Sequence, residues 1–580
     1  MSAKAGILGR WAGALLGALA LAGAARAMLQ SQADMPDVPP VLAVALALGL
    51  LGLWLMLWCG LALGFHLPVS AGRRAALQGS WAWCLAWVWP LARRARLPYP
   101  HNLPERALQI LLAASVLSGL AFTLWVFLRA LLRSGLLGRR SDAWAALRLG
   151  GLAWIVFFGS SLWTWRWLMT GDAPTYVLMS ASLVRHGSLD LAADYKGGEW
   201  RRYYPLERDL PSVALTVHGH TISEHRPLLP VLAAPGYAWG GFAGLLWTGT
   251  LLGALATALL YLLLRKRGAG PASALQGWAL LALGAPWLLF SQSAMVEVLA
   301  GLLGLLWLCA WEGVVPELWA WLAPALAPLA GTRMTVCAAG AALAWAWRWR
   351  RRPLKAVAVG AALGLVLAGV RLANQLLLGD SSLTASFKAN GVTMADLFQP
   401  SHALRGFFGM LIDQEYGLLP WAPALLLAAA GLSAWVRRRD TLLLPALAWA
   451  LPYVALLSCV PFWHGDMAPD RYLIVLVPLL ALAALEGFEA LGRPAWAMGL
   501  FAAGWALALL MQALPWFCFS KQQGESWPLR FAGSALGLRL TPAFPSFIIN
   551  TPQSYLWALG LVLVAIWLAW HPALTRRHPD

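Results

Sequence analysis

"GLAWIVFFGSSLWTWRWLMTGDAPTY", residues 151–176, decides how the chain is read. It opens inside an apolar run of roughly twenty residues, enough for a helix to cross a bilayer core. It closes on Asp172, with Pro174 two residues on. A carboxylate just past the end of a membrane-length segment sits at the membrane surface, where it keeps some water. Two readings fit it. Asp is a good N-cap and Pro suits a first helical turn, so Asp172 caps a helix that starts at Pro174. Alternatively, Asp172 is held at the interface because chemistry happens there.

Working outward, the same pattern recurs along the chain. Of 580 residues, 60% are hydrophobic and 12% charged, and the mean hydropathy is +0.65. Soluble domains carry about 25% charged residues. The expected fold class is therefore an all-α polytopic membrane protein, without the alternation of an outer-membrane barrel. The net charge of +18 would suit nucleic acid, but its placement does not. The basic residues sit in short clusters between apolar segments: Arg73-Arg74, Arg139-Arg140, Arg265-Lys266-Arg267, Arg348 to Arg352, Arg437 to Arg439, Arg576-Arg577. That is the positive-inside pattern of cytoplasmic loops. Six scattered cysteines (Cys59, Cys84, Cys309, Cys337, Cys459, Cys518) give neither a disulfide framework nor a zinc spacing. Interface anchoring accounts for most of the 36 tryptophans. Residues 1–30 fit a cleaved signal peptide or a first membrane helix; the many later spans favour the helix.

With the clusters taken as cytoplasmic, the span 145–168 exits and residues 169–226 lie outside. Residues 227–264 are too long for one straight span, and carry Pro227, Pro230 and Pro235. They are expected to form an interfacial helix to about Trp239, then one crossing. Spans follow at 272–289 and 292–312. A hairpin at 316–347 puts Arg333 at its outer tip. The span 354–378 exits to an external loop, Gly379 to Gly417. The span 418–436 returns, the next exits near Val460, and "PFWHGDMAPDR" (461–471) is outside. Three further spans end at Arg576-Arg577. Residues 1–140 do not thread cleanly. The polar loops thus gather on the side opposite the basic clusters.

Neither GxxxxGK[ST] nor a strand-borne GxGxxG occurs, so an external enzyme would draw on an already activated substrate. A lipid-linked phosphosugar is one. Its transfer needs a base for the acceptor hydroxyl and cations for the leaving phosphate. The outer loops hold the acids Asp172, Asp190, Asp194 and Glu224, and the cations Arg226, Arg333, Arg471 and His225.

Four stretches sharpen this. "GDAPTYVLMSASLVRHGSLDLAADY" (171–195) resembles the first external loop of bacterial membrane glycosyltransferases of the GT-C superfamily. These are relatives of the protein O-mannosyltransferases and the aminoarabinose transferase, glycosyltransferase family 39-like. "SEHRPLLPVLAAPGYAWGG" (223–241), "LIDQEYGLLPWAPALLLAAAGL" (411–432) and "DRYLIVLVPLLAL" (470–482) resemble later elements of that family, in the same order. The resemblance covers about residues 145–490. It implies a GT-C-like helical bundle whose external loops carry juxtamembrane helices: an N-terminal extension at 1–140, a catalytic core at 141–490, and C-terminal helices at 491–580 around an external loop at 516–552. It assigns the base to Asp172. Ala173 and Thr175 stand where the family carries an acid and a histidine.

Each candidate also has a plain reading. Asp190 and Asp194 read as loop acids as well as site acids. Glu224 can cap the following helix, or join His225 and Arg226 in the site. Glu297, in "SAMVEVLAG" (293–301), is an intramembrane carboxylate, a type usually functional or paired. Arg333 and Arg471 can snorkel to headgroups or bind phosphate; the Arg471-Tyr472-Leu473 match favours phosphate for Arg471. Lys388 and Arg405 read as loop cations. His218, His220, His464, Asp466 and Asp470 contain His-x-His and acids that can bind a divalent ion, but their spacing specifies no site, and no cofactor is expected.

The reading is an inverting glycosyltransferase in a bacterial inner membrane, facing the periplasm. Asp172, with Glu224 and Asp190, supplies the catalytic acids. Arg471, Arg333, Arg226, His225, Tyr176, Glu297 and Tyr472 bind substrate. The partners are a polyprenyl-phosphate sugar donor, a glycan, lipid or protein acceptor, and membrane lipids. The rivals are a transporter or flippase of lipid-linked glycan, and an inactive scaffold of the same fold.

Overall fold

The computed structural model describes residues 142–169, 171–204, 214–217, 219–389, 391–465, 467–513 and 541–571, with Ser526 and Leu529. Contacts divide the chain into two compact units: Met1–Ala145 with Leu509–Leu514, and Ala146–Ala508 with Pro515–Asp580. The second unit holds the candidate site. The N-terminal extension at 1–140, the clusters Arg73-Arg74, Arg139-Arg140 and Arg576-Arg577, most of the loop at 516–552, His218 and Asp466 lie outside the described residues.

The helices run α1 (Asp142–Leu168), α2 (Ala173–His186), α3 (Ala192–Gly197), then after one hairpin α4 (Leu228–Lys266), α5 (Pro271–Ala282), α6 (Ala285–Phe290), α7 (Val296–Trp311), α8 (Trp319–Ala330), α9 (Met334–Arg348) and α10 (Pro353–Leu378). They continue as α11 (Ala403–Ile412), α12 (Ala428–Arg438), α13 (Leu443–Ser458), α14 (Val477–Ala490), α15 (Ala495–Ala513) and α16 (Pro552–Ala569), with short helical turns between. Among the described residues, five stretches are long and apolar enough to cross a membrane: Asp142–Ser161, Leu228–Lys266, Pro353–Leu378, Tyr472–Ala490 and Pro552–Ala569. The chain is an all-α membrane protein, with one local exception among the described residues. That exception is a hairpin of β1 (Ala214–Val217) and β2 (His220–Ser223), antiparallel, with Leu215 opposite Ile222.

The segment from Leu228 to Lys266 breaks where the sequence suggests. Gly240 and Gly241 leave helical geometry, Gly241 with φ 58° and ψ −141°, a region open essentially to glycine alone. The helix thus ends after Trp239, which stacks on Trp247 at 4.8 Å across the break.

Several expected spans are not single helices. The stretch 272–312 is α5, α6 and α7, interrupted at Gly284 and by the polar turn Ser291-Gln292-Ser293. Pro286 has no N–H to continue a ladder and instead opens α6. In 418–436, Pro420 lies in a one-turn helix, Leu418–Trp421, and Pro423 opens a 3-10 turn, Pro423–Leu427, before α12. The external stretch 379–417 is not plain loop, since it contains α11 and two shorter helices. Nor do the tryptophans serve only as interface anchors. Trp278, Trp287, Trp307, Trp345, Trp435, Trp449 and Trp463 are fully buried, where each contributes a large apolar area. Cys309, Cys337 and Cys459 are buried and free.

Two polar hubs tie the helices. Arg267, from the basic cluster Arg265-Lys266-Arg267, is a hub after α4. Its guanidinium bonds Glu486 of α14 at 2.6 Å and Asp440 at 2.6 Å and lies over the Trp435 ring. Asp413, after α11, accepts from the backbone N–H groups of Glu415 and Tyr416 and, at 2.7 Å, of Phe547. Arg405 adds bonds to the Phe547 and Ile548 carbonyls, so the 541–550 segment is fastened to α11.

Candidate active site

Gly171 sets the site's entrance. It takes φ +58°, and a Cβ there would come within 3.2 Å of Arg471 Nη1. Glycine both permits the left-handed turn after α1 and leaves room for the arginine. The chain then enters α2 with Asp172 at the N-cap position, yet the Asp172 side chain makes no capping bond. Only its backbone carbonyl serves the helix, accepting from Thr175 and Tyr176. Of the two readings of Asp172, side-chain capping is thus not taken up.

The carboxylate instead meets charge. Arg471 Nη2 donates to Asp172 Oδ2 at 2.7 Å, and His225 Nε2 lies 3.7 Å from Oδ1. Arg471 Nε is 3.3 Å from Glu297 Oε1, and Arg333 Nη2 donates to that same oxygen at 2.7 Å. Two carboxylates and two guanidiniums therefore alternate: Asp172, Arg471, Glu297, Arg333. Glu297 and Arg471 are almost wholly buried, at 1% and 4% exposure. Burial pushes the Asp172 carboxyl up, but the charges of Arg471, His225 and Arg333 outweigh it and hold Asp172 well below the usual carboxylate range.

Aromatic rings frame the chain of charges. Tyr472 lies beneath Arg333, 3.9 Å from its guanidinium carbon to the ring centre. Tyr472 is fixed in turn: its carbonyl accepts from Tyr453 Oη at 2.9 Å, and its N–H donates to Asp470 Oδ1. Tyr176 faces His225 with ring centres 5.0 Å apart. Burial raises the Tyr176 phenol well above its ordinary range, so Tyr176 is a neutral hydroxyl at physiological pH.

The other sequence candidates lie elsewhere. Asp190 is a structural brace. Its Oδ2 pairs with His220 Nδ1 at 2.7 Å, and Oδ1 accepts from the N–H groups of Thr221 and Ala192. Asp194 is buried beside Arg185 and His186. Arg226 is engaged on three sides, donating to Thr332 Oγ1, Asn374 Oδ1 and the Leu383 carbonyl. Glu224 is half-buried in the turn before α4, whose N-cap is Pro227 without a side-chain cap bond. Lys388 pairs with Asp380 at 3.0 Å. His464 packs on the Tyr416 ring. Among the described residues, no three His, Cys, Asp or Glu side chains gather as a metal group.

Three contributors escaped sequence reasoning: Gly171, Tyr453, and Asp470 in its backbone-capping role. The glycine in "TGDAP" and the acid before Arg471 were the available signals. No protein-family model, curated protein or solved structure matches the chain. Three of the four stretches singled out in the sequence meet at Asp172, through Asp172 itself, His225 and Arg471.

Proposed function

We propose that the chain is a multi-pass inner-membrane glycosyltransferase that moves a sugar from a polyprenyl-phosphate donor to an acceptor hydroxyl on the periplasmic side, with inversion. The carrying observation is the pairing of Asp172, just beyond a membrane-length helix, with Arg471, itself linked through Glu297 to Arg333.

At rest Asp172 is ionised but a weak base, because Arg471 holds its proton affinity down. A donor phosphate offers Arg471 and Arg333 another anion. As Arg471 turns to the phosphate, Asp172 loses its strongest counter-charge and becomes a better base. The acceptor hydroxyl gives its proton to the Asp172 carboxylate. Its oxygen bonds to the anomeric carbon from the face opposite the phosphate. The carbon–oxygen bond to phosphate breaks, and its electron pair stays on the phosphate oxygen. There the planar guanidiniums bind the developing charge through paired N–H bonds. The rest-state ion pair thus couples base strength to donor arrival.

The test is release of polyprenyl phosphate by the purified chain from a panel of polyprenyl-phosphate pentoses and hexoses, with glycan acceptors from an envelope extract. Release that depends on acceptor supports transfer. Movement of intact lipid-linked sugar across proteoliposomes, with no bond broken, is the result expected of a transporter and would remove the reading.

A further inference from the structure

A second charged feature lies where the turn after α7 faces the turn between α9 and α10. It is a cleft of about 620 Å³ whose walls include Trp311, Trp345, Trp349, Arg348, Arg352 and Lys355. Arg351 also contributes, as do Glu312 and Glu317. Both acids have partners: Glu317 binds Lys355 Nζ at 2.6 Å, and Glu312 accepts from Thr441 Oγ1. Arg348 is committed to the wall, donating to the Trp311 carbonyl at 3.0 Å and lying over the Trp311 ring. Arg351 and Arg352 are exposed. Trp345 is buried in the wall, its ring stacked on that of Trp349.

What the cleft adjoins narrows the occupant. Lys355 belongs to the first turn of α10, a membrane-length helix. One face of α10 packs inward through Val359, Leu363, Val370 and Asn374. The other carries Leu354, Val357, Leu365, Leu372 and Leu376, all exposed. These five fall on a single helical stripe. From Leu354 to Leu376 the stripe runs about 33 Å at 1.5 Å per residue, close to the depth of a hydrocarbon core. A cationic, tryptophan-lined cleft at one end of a bare apolar stripe matches a phosphate with acyl chains attached. Free phosphate would have no use for the stripe. Basic pockets between membrane helices are a recurrent way to hold acidic headgroups.

We propose that this cleft binds the phosphodiester of an acidic glycerophospholipid whose acyl chains lie along the exposed stripe of α10. The assignment does not depend on the sugar-transfer reading. Arg351 and Arg352, both exposed, supply the charge that meets the phosphate.

The experiment uses the full chain, stripped of lipid in neutral detergent. Retained lipid is counted by native mass spectrometry after adding phosphatidylglycerol, phosphatidylcholine or glycerol 3-phosphate. Wild type should prefer phosphatidylglycerol over phosphatidylcholine. Arg351→Ala with Arg352→Ala should lose about 25-fold in that preference, roughly fivefold per cation. Arg351→Lys with Arg352→Lys, which keeps the charge, should restore most of it. The melting temperature in phosphatidylcholine should match wild type in both pairs, since the side chains are exposed. An unchanged preference in the alanine pair would overturn the site. Displacement of phosphatidylglycerol by equimolar glycerol 3-phosphate would overturn the lipid assignment, leaving a site for free phosphate.

Discussion

Arg471 is shared between Asp172 at 2.7 Å and Glu297 at 3.3 Å, so its removal acts on both acids. Arg471→Ala leaves Asp172 beside His225 alone, and Glu297 with Arg333. If Arg471 carries the leaving phosphate, the alanine variant should lose about 10²–10³-fold in kcat, the loss typical of removing one donor to a developing charge. Arg471→Lys should fall between, because an ammonium keeps the charge but not the planar fork. Steady-state kcat and donor KM measure both, and an alanine variant with wild-type values would end the phosphate assignment. At this scale much of the site was legible. Asp172, Arg471, Arg333, Glu297, His225 and Tyr176 are all polar or ionisable types that stand out in a chain this apolar. Their pairing was not legible, because Arg471 meets a residue 299 positions away and no local pattern records that contact. Arg226 shows the converse. It looked like a site cation, but its geometry joins Thr332, Asn374 and Leu383.

The clearest element-scale consequence is pH dependence at the junction of α11 with the 541–550 segment. Asp413 is buried there. Burial pushes its carboxyl up, and the N–H groups of Tyr416, Phe547 and Glu415 only partly offset that, leaving it at about 6. Unfolded, it titrates near 3.9. Between those values the folded chain keeps a proton the unfolded chain has lost, so stability falls as pH rises through this window. The loss approaches roughly 3 kcal/mol above pH 6. Melting temperatures of wild type should therefore drop from pH 4 to pH 6, and Asp413→Asn, with nothing to titrate, should lack that slope. Equal slopes would place the titration elsewhere. Long apolar elements were legible because twenty apolar residues in sequence leave few other structures. The fragmentation of 272–312 and 418–436 was less so. A Pro or Gly in an apolar run can kink a helix, end it or pass unnoticed, and packing decides which.

Across the molecule, the positive-inside count and the polar loops make one prediction of sidedness. In a cysteine-free background, single cysteines at Lys196 and Phe462 should react with an impermeant reagent from outside, and those at Lys266 and Arg438 should not. All four positions are exposed. Gly465, on the same turn as Phe462, is a poor reporter, since it takes φ +58° with the Tyr472 ring 3.1 Å from where a Cβ would stand. Labelling at 438 but not at 196 would reverse the threading and put Asp172 on the cytoplasmic face. The hairpin at 214–223 could not be foreseen from overall composition. Four-residue strands leave little pattern, and this one is braced by Asp190 from outside.

If Asp172 takes the proton from the acceptor, Asp172→Asn removes that step. Asparagine keeps the size but cannot accept that proton. Arg471 retains Glu297 as a counter-charge, and the helix loses no side-chain cap because Asp172 provides none. Wild type and variant, purified together, are compared for sugar transfer from a polyprenyl-phosphate donor and for melting temperature. The variant should fold and be slower by about 10²–10⁴-fold. A folded variant that keeps more than about a tenth of wild-type transfer, well outside that range, would contradict that role for Asp172.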